Sequence, residues 1–594
     1  MQTWAQTARR LVAVAAGREA ADLVVRGARV VNVHSREVLD WDVAVAGGRF
    51  AYVGPDASHC VGAGTEVVEA GERLLLPGLC DGHMHVESGM LTPAGFAAAV
   101  IPHGTTTMFC DPHEVANVLG LAGVRMMHDE ALMQPVTMLM QMPSCAPAAP
   151  GLETTGFAIT AADVAEAMAW PGIVGLGEMM NFPGVAAGDE QMLGEMAAAM
   201  RAGKTVGGHY ASPDLGRAFH AYAAGGAADD HEGTQEADAV ARVRQGMRAM
   251  LRLGSAWHDV AAQVTAVTER GLDPRGFVLC TDDCHPGTLV HDGHMDRVVR
   301  HAIACGLDPL VAIQMATLNT AAHFGLEREL GSIAPGRRAD MILTSSLTDL
   351  PVEAVWARGV KVAEGGRLLV TCPRYDWPPE ARATVRLGRA LAADDFAVAA
   401  PQGRERVRVR VIGVVENQAP TRALSRDLPV RDGAIEPEGD VAHIAVVERH
   451  KGTGGIQTAF VAGFGYGPGV AVASTVAHDS HHVLVVGTDR ATMAQAVARL
   501  GEMGGGVTVW RAGAELASVA LPVAGLMSEG APADVARDAQ GVVDAMRACG
   551  CTLNNAVMQH SLLALPVIPE LRLTDLGLVD VRRFELVPLV EGNA

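Results

Sequence analysis

The segment LLLPGLCDGHMHVE, residues 74–87, decides the fold that we predict for this chain. An apolar run meets a turn signal at Pro77-Gly78, and His83 and His85 follow with one residue between them. Residues two apart on a β-strand point to the same face of the sheet. We therefore predict one buried strand whose end presents two imidazoles to a single metal ion. A strand end that carries two histidines without a metal is the alternative.

The middle of the chain, residues 74–330, alternates short apolar or β-branched runs with Ala-rich amphipathic stretches. This alternation predicts an α/β protein with a (β/α)8 barrel, in which each parallel strand is followed by a helix. An eighth strand, near residues 251–255, is only weakly indicated. The other seven predicted strands are 74–85, 104–111, 136–142, 173–179, 205–210, 227–232 and 277–283.

Two β-rich segments bracket the barrel, and we predict that they form one small β-sandwich domain built from both flanks. A separate α/β domain follows a linker that contains Pro378-Pro379. The predicted boundaries are 1–73 for the N-terminal part of the β-sandwich domain with a helix over 1–20, 74–330 for the catalytic barrel, 331–372 for the returning part of the β-sandwich domain, 373–403 for the linker and 404–594 for the C-terminal α/β domain.

Composition narrows the class of protein. Of the 594 residues, 49% are hydrophobic and 19% are charged, which is typical of well-packed globular domains. The net charge of -20 argues against nucleic-acid and anionic-membrane partners, because both require a basic surface. No window has the roughly 20 apolar residues that a membrane span needs. The ten scattered cysteines indicate reduced thiols, so we expect a cytoplasmic protein.

Side chains that bind metals stand where the predicted barrel strands end. All strands of such a barrel open on one mouth, so residues distant in the sequence would meet there. Taken singly, Glu178 fits a surface carboxylate, His209 and His231 fit structural histidines, and Asp282 fits a helix N-cap. Their recurrence at successive strand ends favours a two-metal site bridged by Glu178. The predicted ligands are His83, His85, Glu178, His209, His231 and Asp282.

Several segments resemble known proteins. PGLCDGHMH (77–85) and GSIAPGRRAD (331–340) resemble the amidohydrolase superfamily. Longer motifs resemble, more narrowly, the bacterial adenine deaminase family, and the likeness runs from about residue 21 to near the end of the chain. These motifs are HVESGMLTP (85–93), HGTTTMFCDPHEVANV (103–118), PSCAPAAP (143–150), GEMMNFPGV (177–185), DDHEGT (229–234), CTDDCHP (280–286) and GFGYGPGVAVASTVAHDSHHVLVVGT (463–488).

The resemblance implies an enzyme that hydrolyses adenine to hypoxanthine and ammonia. It implies two divalent transition-metal ions, Mn²⁺ or Fe²⁺ with Zn²⁺ as the alternative, on the six ligands named above. Glu178 would stand where many superfamily members carry a carboxylated lysine. A homo-oligomer, dimer or tetramer, is also implied. One departure is Gly89, where the family pattern leads us to expect a second serine.

For the mechanism we expect a metal-bridged hydroxide to attack C6 of adenine. Asp282 would take the hydroxide proton and pass it to the leaving amine. Acidic and polar residues near the first two strand ends would protonate the ring and hold the purine edge. As structural alternatives, Asp111 could start a turn and Glu114 could face a helix dipole. These candidates are Glu87 and Glu114 as catalytic groups, with Glu87, Ser88, Asp111, His113 and Glu114 as substrate contacts.

Two other functions stay open on the sequence alone. The same fold and metals would serve hydrolysis of another aminated heterocycle or a cyclic amide, and a decayed barrel would serve only to bind a metal or ligand. In the last domain, we interpret residues 478–482, HDSHH, as a polar turn before a buried strand. A loop that reaches back to the barrel mouth is the alternative.

Overall fold

A computed structural model describes residues 4–592, and over that range eight parallel strands form a barrel. The first five pair in one sheet and the last three in another. Backbone hydrogen bonds close both seams, from Ala228 N to Val206 O (2.8 Å) and from Asp282 N to His83 O (3.0 Å). The predicted (β/α)8 class is therefore confirmed. The strands are Leu79–Met84, Thr105–Cys110, Thr137–Met142, Ile173–Met179, Thr205–Gly208, Asp229–Asp230, Arg248–Arg252 and Phe277–Cys280.

The first predicted strand, 74–85, is wrong as a single element. Leu74–Pro77 belongs to the flanking sheet, and only Leu79–Met84 belongs to the barrel. The chain changes sheets at Gly78, where a Cβ would overlap the Thr106 side chain, so the close approach requires glycine. The strand that was only weakly indicated at 251–255 also differs. In the structure it is Arg248–Arg252, which begins three residues earlier than predicted.

Strands from both flanks of the barrel share one nine-stranded sheet within the described range. Leu75 joins the two flanks, because it pairs with Val30 on one side and with Leu343 on the other. Helix Trp4–Ala15 packs on this sheet, and the start of the predicted helix, residues 1–3, lies outside the described residues. The strands are Leu23–Asn32, Glu37–Ala46, Arg49–Gly54, Glu66–Glu69, Leu74–Pro77, Met341–Thr344, Ala354–Ala357, Val360–Glu364 and Arg367–Leu368.

Helices connect the barrel strands, and one of them positions site residues. His113–Leu132 begins directly after Asp111-Pro112, because proline ends the preceding strand and is tolerated at a helix start. Its first turn therefore lies at the barrel mouth. The other helices of this region are Pro93–Val100, Ala161–Ala167, Phe182–Ala187, Glu190–Arg201, Arg217–Gly225, Glu236–Arg244, Val260–Gln263, Thr265–Thr268, Pro286–His291, Met295–Ala304, Pro309–Met315 and Leu318–His323.

The last part of the chain is a second α/β region that packs on the barrel. Ser528 joins the two parts, since its N–H donates to Met90 O (2.9 Å) and its carbonyl accepts from Thr92 N (3.3 Å). Its sheets are formed by Val398–Ala399, Arg406–Gly413, Arg422–Arg431, Ala434–Ile435, Val441–Val447, Ile456–Ala462, Val470–Ser474, Val483–Gly487, Gly506–Arg511 and Ala514–Ala520, and by Leu571–Thr574, Gly577–Asp580 and Glu585–Leu586. Its helices are Pro379–Arg382, Arg490–Met503, Pro532–Ala548 and Ala556–Ser561.

Among residues 4–592, none of the helices has both the length and the apolar composition needed to cross a membrane.

Candidate active site

The structure brings the six predicted metal ligands together at the barrel mouth, where each is at most 5% exposed. Glu178 lies at their centre. Its Oε2 is 2.7 Å from His209 Nδ1 and 2.8 Å from His231 Nε2. Because one carboxylate oxygen faces two imidazoles, the end of strand Ile173–Met179 is joined to the two strand ends that follow it.

The first strand supplies the other side of the cluster. His83 Nε2 lies 3.7 Å from Glu178 Oε2, and His85 Nε2 lies 3.8 Å from Glu178 Oε1. His85 Nε2 is also 3.3 Å from Asp282 Oδ1. The rings of His83 and His231 stack with centroids 3.9 Å apart. Glu178 therefore stands between two pairs of histidines, as a bridging ligand would.

The cluster has the donor set that a divalent cation requires. Nε2 of His83 and Nε2 of His209 are buried and make no hydrogen bond to any described residue. Leaving such nitrogens unpaired is costly unless a ligand satisfies them. His85 Nδ1 donates to Asp111 O (3.0 Å), which leaves its Nε2 for the cluster, as is usual for a metal-binding histidine.

Several overlapping triads could each hold an ion, because their ligand atoms lie within 4.8 Å of one another. They share Glu178 or a histidine, so neighbouring ions would share ligands. These triads include His83–His85–Glu178, His83–His231–Asp282 and Glu178–His209–His231.

Both central carboxylates are ionised in this setting. Burial opposes ionisation of Glu178, but His209 and His231 outweigh it and hold the pKa of Glu178 well below its usual range. For Asp282, burial is likewise outweighed by His85 and Arg252, so its pKa is also well below the usual value. Anionic oxygens are the form that binds divalent cations.

Arg252 is a site residue that the sequence analysis missed. It lies on strand Arg248–Arg252, and its guanidinium donates to Asp282 Oδ2 (2.8 Å) and to Asp259 Oδ2 (2.6 Å). It also donates to the carboxylate of Glu232. A charged residue inside an otherwise apolar barrel run, RAMLRL, was the available signal. Arg252 balances the buried carboxylate of Asp282 and the partly buried carboxylates of Glu232 and Asp259, and it fixes the orientation of Asp282.

Replacing Arg252 with methionine is expected to destabilise the barrel by roughly 3–5 kcal/mol, because buried carboxylates would lose their cation. Turnover should also fall, since Asp282 loses the donor that orients it. A thermal unfolding scan and an activity assay measure the two effects. Arg248→Met is the matched control on the same strand, because Arg248 is only partly buried and its guanidinium donates to a backbone carbonyl, Arg275 O. Equal stability of the two variants would contradict the charge-balancing role.

A small cavity opens over the ligand cluster. Among the predicted substrate contacts, His113 and Glu114 line it. Glu87, Ser88 and Asp111 are buried but do not line it within the described range. The C-terminal domain closes one side with apolar residues. The lining residues from that domain are Ala419, His478, Asp479, Leu562, Leu565 and Ile568.

Ser88 and Asp111 contact residues that line the cavity, and Glu87 contacts Val115, the neighbour of Glu114. Glu87 Oε1 accepts from Val115 N (3.2 Å), and Asp111 Oδ2 accepts from Glu178 N (2.7 Å). Ser88 Oγ lies 3.2 Å from Glu114 Oε1 and donates to a carboxylate oxygen of Asp283. Burial, and then Glu114, raise the pKa of Glu87 to about 8. Their roles in catalysis and substrate binding remain predictions.

Residues 478–482 do form a turn before the buried strand Val483–Gly487, but this turn is not exposed and matches the alternative of a loop that reaches back to the barrel mouth. All five side chains are buried, and the segment reaches the barrel mouth. His113 Nε2 lies 3.6 Å from Asp479 Oδ1, and His478 Nδ1 lies 3.6 Å from Glu114 Oε1. No periodic pattern links this segment to a helix that begins more than 300 residues earlier, so the sequence left the alternative open.

Gly89, the departure from the family pattern, occupies a tightly packed position. A Cβ there would lie 2.9 Å from Phe96 Cδ2 and 3.1 Å from Leu289 Cδ1. Both neighbours are buried. A serine would force Phe96 to move, so packing against these two side chains accounts for the glycine.

Comparison with known proteins covers both large parts of the chain. Residues 74–362 match the amidohydrolase family, and residues 418–585 match the adenine deaminase C-terminal domain. An adenine deaminase of Ruegeria pomeroyi is 70% identical over 100% of this chain and 99% of its own length. Adenine deaminases of Paracoccus denitrificans (70% identical; 99% of each chain) and Ruegeria sp. (69%; 99% of this chain and 98% of the relative) are similarly close. The likeness therefore includes the barrel and the domain that closes its mouth.

Proposed function

The chain belongs to the adenine deaminase family of the amidohydrolase superfamily, and from this premise we propose that it hydrolyses adenine to hypoxanthine and ammonia. The observation that carries the proposal is the cluster of buried histidines and carboxylates that lies below a cavity at the barrel mouth. In the reaction, the oxygen of water joins C6 of the purine, the bond from C6 to the amino nitrogen breaks, and ammonia leaves.

Histidine and carboxylate clusters at the mouth suit a divalent metal. We propose two ions, Mn²⁺ or Fe²⁺ with Zn²⁺ as the alternative, that share Glu178. His83, His85 and Asp282 would hold the first ion, and His209 and His231 the second. Such ions, when bound, would lower the pKa of a water molecule so that it reacts near neutral pH.

Asp282 is the group that moves protons in this proposal. Its Oδ1 faces the cluster and its Oδ2 accepts from Arg252, so the carboxylate is held ionised and oriented. It would accept a proton from the attacking water and return it to the leaving amino nitrogen. One carboxylate would thus act first as the general base and then as the general acid.

His113 and Glu114 would bind the purine edge, and both side chains line the cavity. Glu114 would supply the proton that the ring nitrogen beside C6 gains, and the second proton of the attacking water would restore it as C6 becomes a carbonyl. Glu87, Ser88 and Asp111 would support them through the contacts described above. A homodimer or homotetramer in the cytoplasm completes the proposal, and the absence of disulfides among the ten cysteines supports that compartment.

The test is ammonia release by protein expressed with manganese while iron is chelated. We expect turnover of adenine, loss of turnover after the metals are stripped, and recovery when Mn²⁺ is restored. The panel should include cytosine, guanine, adenosine and a cyclic amide. Turnover of a cyclic amide or another aminated heterocycle in place of adenine would support that alternative substrate class. No turnover by metal-replete protein would support a binding protein instead.

A further inference from the structure

We propose that Asp479 and His478 of the C-terminal domain are positioning residues for the deamination, holding His113 and Glu114 of the barrel at the reaction cavity. This inference rests on the proposed function. It assigns a catalytic purpose to a domain whose role the barrel chemistry leaves open. It also predicts that the barrel without this domain lacks part of the site.

The geometry around His113 carries the first half of the inference. Its Nε2 lies 3.6 Å from Asp479 Oδ1, and its Nδ1 lies 3.3 Å from Glu178 Oε1. A carboxylate facing one ring nitrogen fixes the ring orientation and determines which nitrogen carries the proton. Asp479 therefore orients the ring so that Nδ1 points toward Glu178 in the ligand cluster.

Glu114 is held in a similar way. Its Oε1 lies 3.6 Å from His478 Nδ1, and the same His478 nitrogen lies 3.3 Å from Asp479 Oδ1. Carboxylates and imidazoles thus alternate in a series of contacts. The series starts in the barrel, passes through two residues of the C-terminal domain and ends in the barrel. Movement of one member would change the orientation of the next. The alternating series is Glu114, His478, Asp479, His113 and Glu178.

The segment that carries these two residues is fixed on several sides. Ser480 O accepts from His450 Nε2 (2.7 Å), and His478 N donates to Ser561 O (2.9 Å). The carbonyl of His481 accepts from the buried guanidinium of Arg449. A rigid support is what a positioning residue requires.

Domain docking does not by itself explain the buried pair. Asp479 is 2% and His478 is 4% exposed, and burying ionisable groups is costly even when they are paired. Apolar residues of the same domain already cover the cavity, so docking could proceed without charge at these positions. Their location against the two barrel residues on the cavity wall points to a role in the reaction.

Asp479→Asn in the manganese-loaded full chain is the direct test. We expect kcat for adenine to fall about 10- to 100-fold, the range seen when a group that orients a site residue is lost. KM should also rise, because His113 and Glu114 are proposed to bind the purine edge as well as to act in the transition state. Manganese content should match that of the wild type.

Asp575→Asn is the matched control. Asp575 is also a C-terminal carboxylate that contacts the barrel, since it accepts from Thr154 Oγ1 (2.6 Å) and lies 3.6 Å from His482 Nε2, but it does not line the cavity. We expect its kcat to stay at the wild-type value. An equal loss in both variants would mean that Asp479 only docks the domain, and would overturn the inference.

A double-variant cycle separates this inference from the proposed function. If Asp479 acts through His113, Asp479→Asn should have little further effect on kcat in a His113→Gln background. Thermal midpoints of the metal-free single and double variants should likewise be non-additive, and they can be read even if adenine is not the substrate. Unchanged kcat in Asp479→Asn, or additive effects in both measurements, would overturn the positioning role.

Discussion

Replacing Asp282 with asparagine is expected to lower kcat for adenine by about 10²- to 10⁴-fold, the usual contribution of a general acid–base group. Asparagine has nearly the same shape, and its amide oxygen can still accept from Arg252, which contacts Oδ2 at 2.8 Å. It cannot take up a proton from water. Metal content should stay near the wild-type value, because four histidines and Glu178 remain as ligands. Ammonia release and elemental analysis on the same sample measure the two quantities.

Asp308→Asn is the control for this substitution. Asp308 caps helix Pro309–Met315 by accepting from Leu310 N (3.0 Å), and asparagine is an equally good N-cap, so neither activity nor metal content should change. Retained activity in Asp282→Asn would remove Asp282 from proton transfer. Loss of both activity and metal would make it chiefly a ligand.

The ligand cluster could be predicted because its signals are local. Each strand is a short apolar run, and each ligand follows at its carboxyl end, so counting strands places His83, Glu178 and His209 at one mouth before any coordinates are known. The barrel connects its strands in chain order, which makes spatial order follow sequence order. The metal site was indicated only by the recurrence of such residues at successive strand ends, since each residue alone also has a purely structural interpretation.

What the sequence did not reveal depends on contacts between distant segments. The run that begins at Leu74 is continuous in hydrophobicity, and its division between two sheets is caused by pairing with Met341–Thr344, more than 250 residues later. Arg252 was missed because a charged residue interrupts the apolar run by which a buried strand is recognised, so this strand was only weakly indicated. The contact of Asp479 with the barrel was left open as an alternative, because no periodicity connects a loop of one domain with a helix of another.

Replacing Glu178 with glutamine is expected to cause the largest loss of metal of any single substitution at the site. Glu178 faces histidines on both sides. It lies 2.7 Å and 2.8 Å from His209 and His231, and 3.7 Å and 3.8 Å from His83 and His85. Glutamine keeps the shape but removes the negative charge that a pair of cations would share. Since loss of a group that merely orients a ligand weakens metal binding about 10- to 100-fold, loss of the shared ligand should exceed about 100-fold. Chelator competition and elemental analysis measure the change, and turnover should fall with metal occupancy.

Glu130→Gln provides the matched control, because Glu130 is a fully buried barrel glutamate whose carboxylate accepts from Trp377 Nε1 (3.0 Å), Tyr375 N and Thr92 Oγ1 and from none of the proposed ligands. The Glu130→Gln variant should keep its metal even if its stability changes. Metal loss in Glu178→Gln would then be specific to that position, and not a general effect of replacing a buried glutamate with an amide. Full metal content in Glu178→Gln would mean that another group joins the two ions. Asp282 would then be the remaining carboxylate among the six ligands, and its asparagine variant should lose metal where we expect it to be retained. Metal content in the two variants is therefore expected to differ. The proposed six-ligand arrangement predicts metal loss in Glu178→Gln and retained metal in Asp282→Asn.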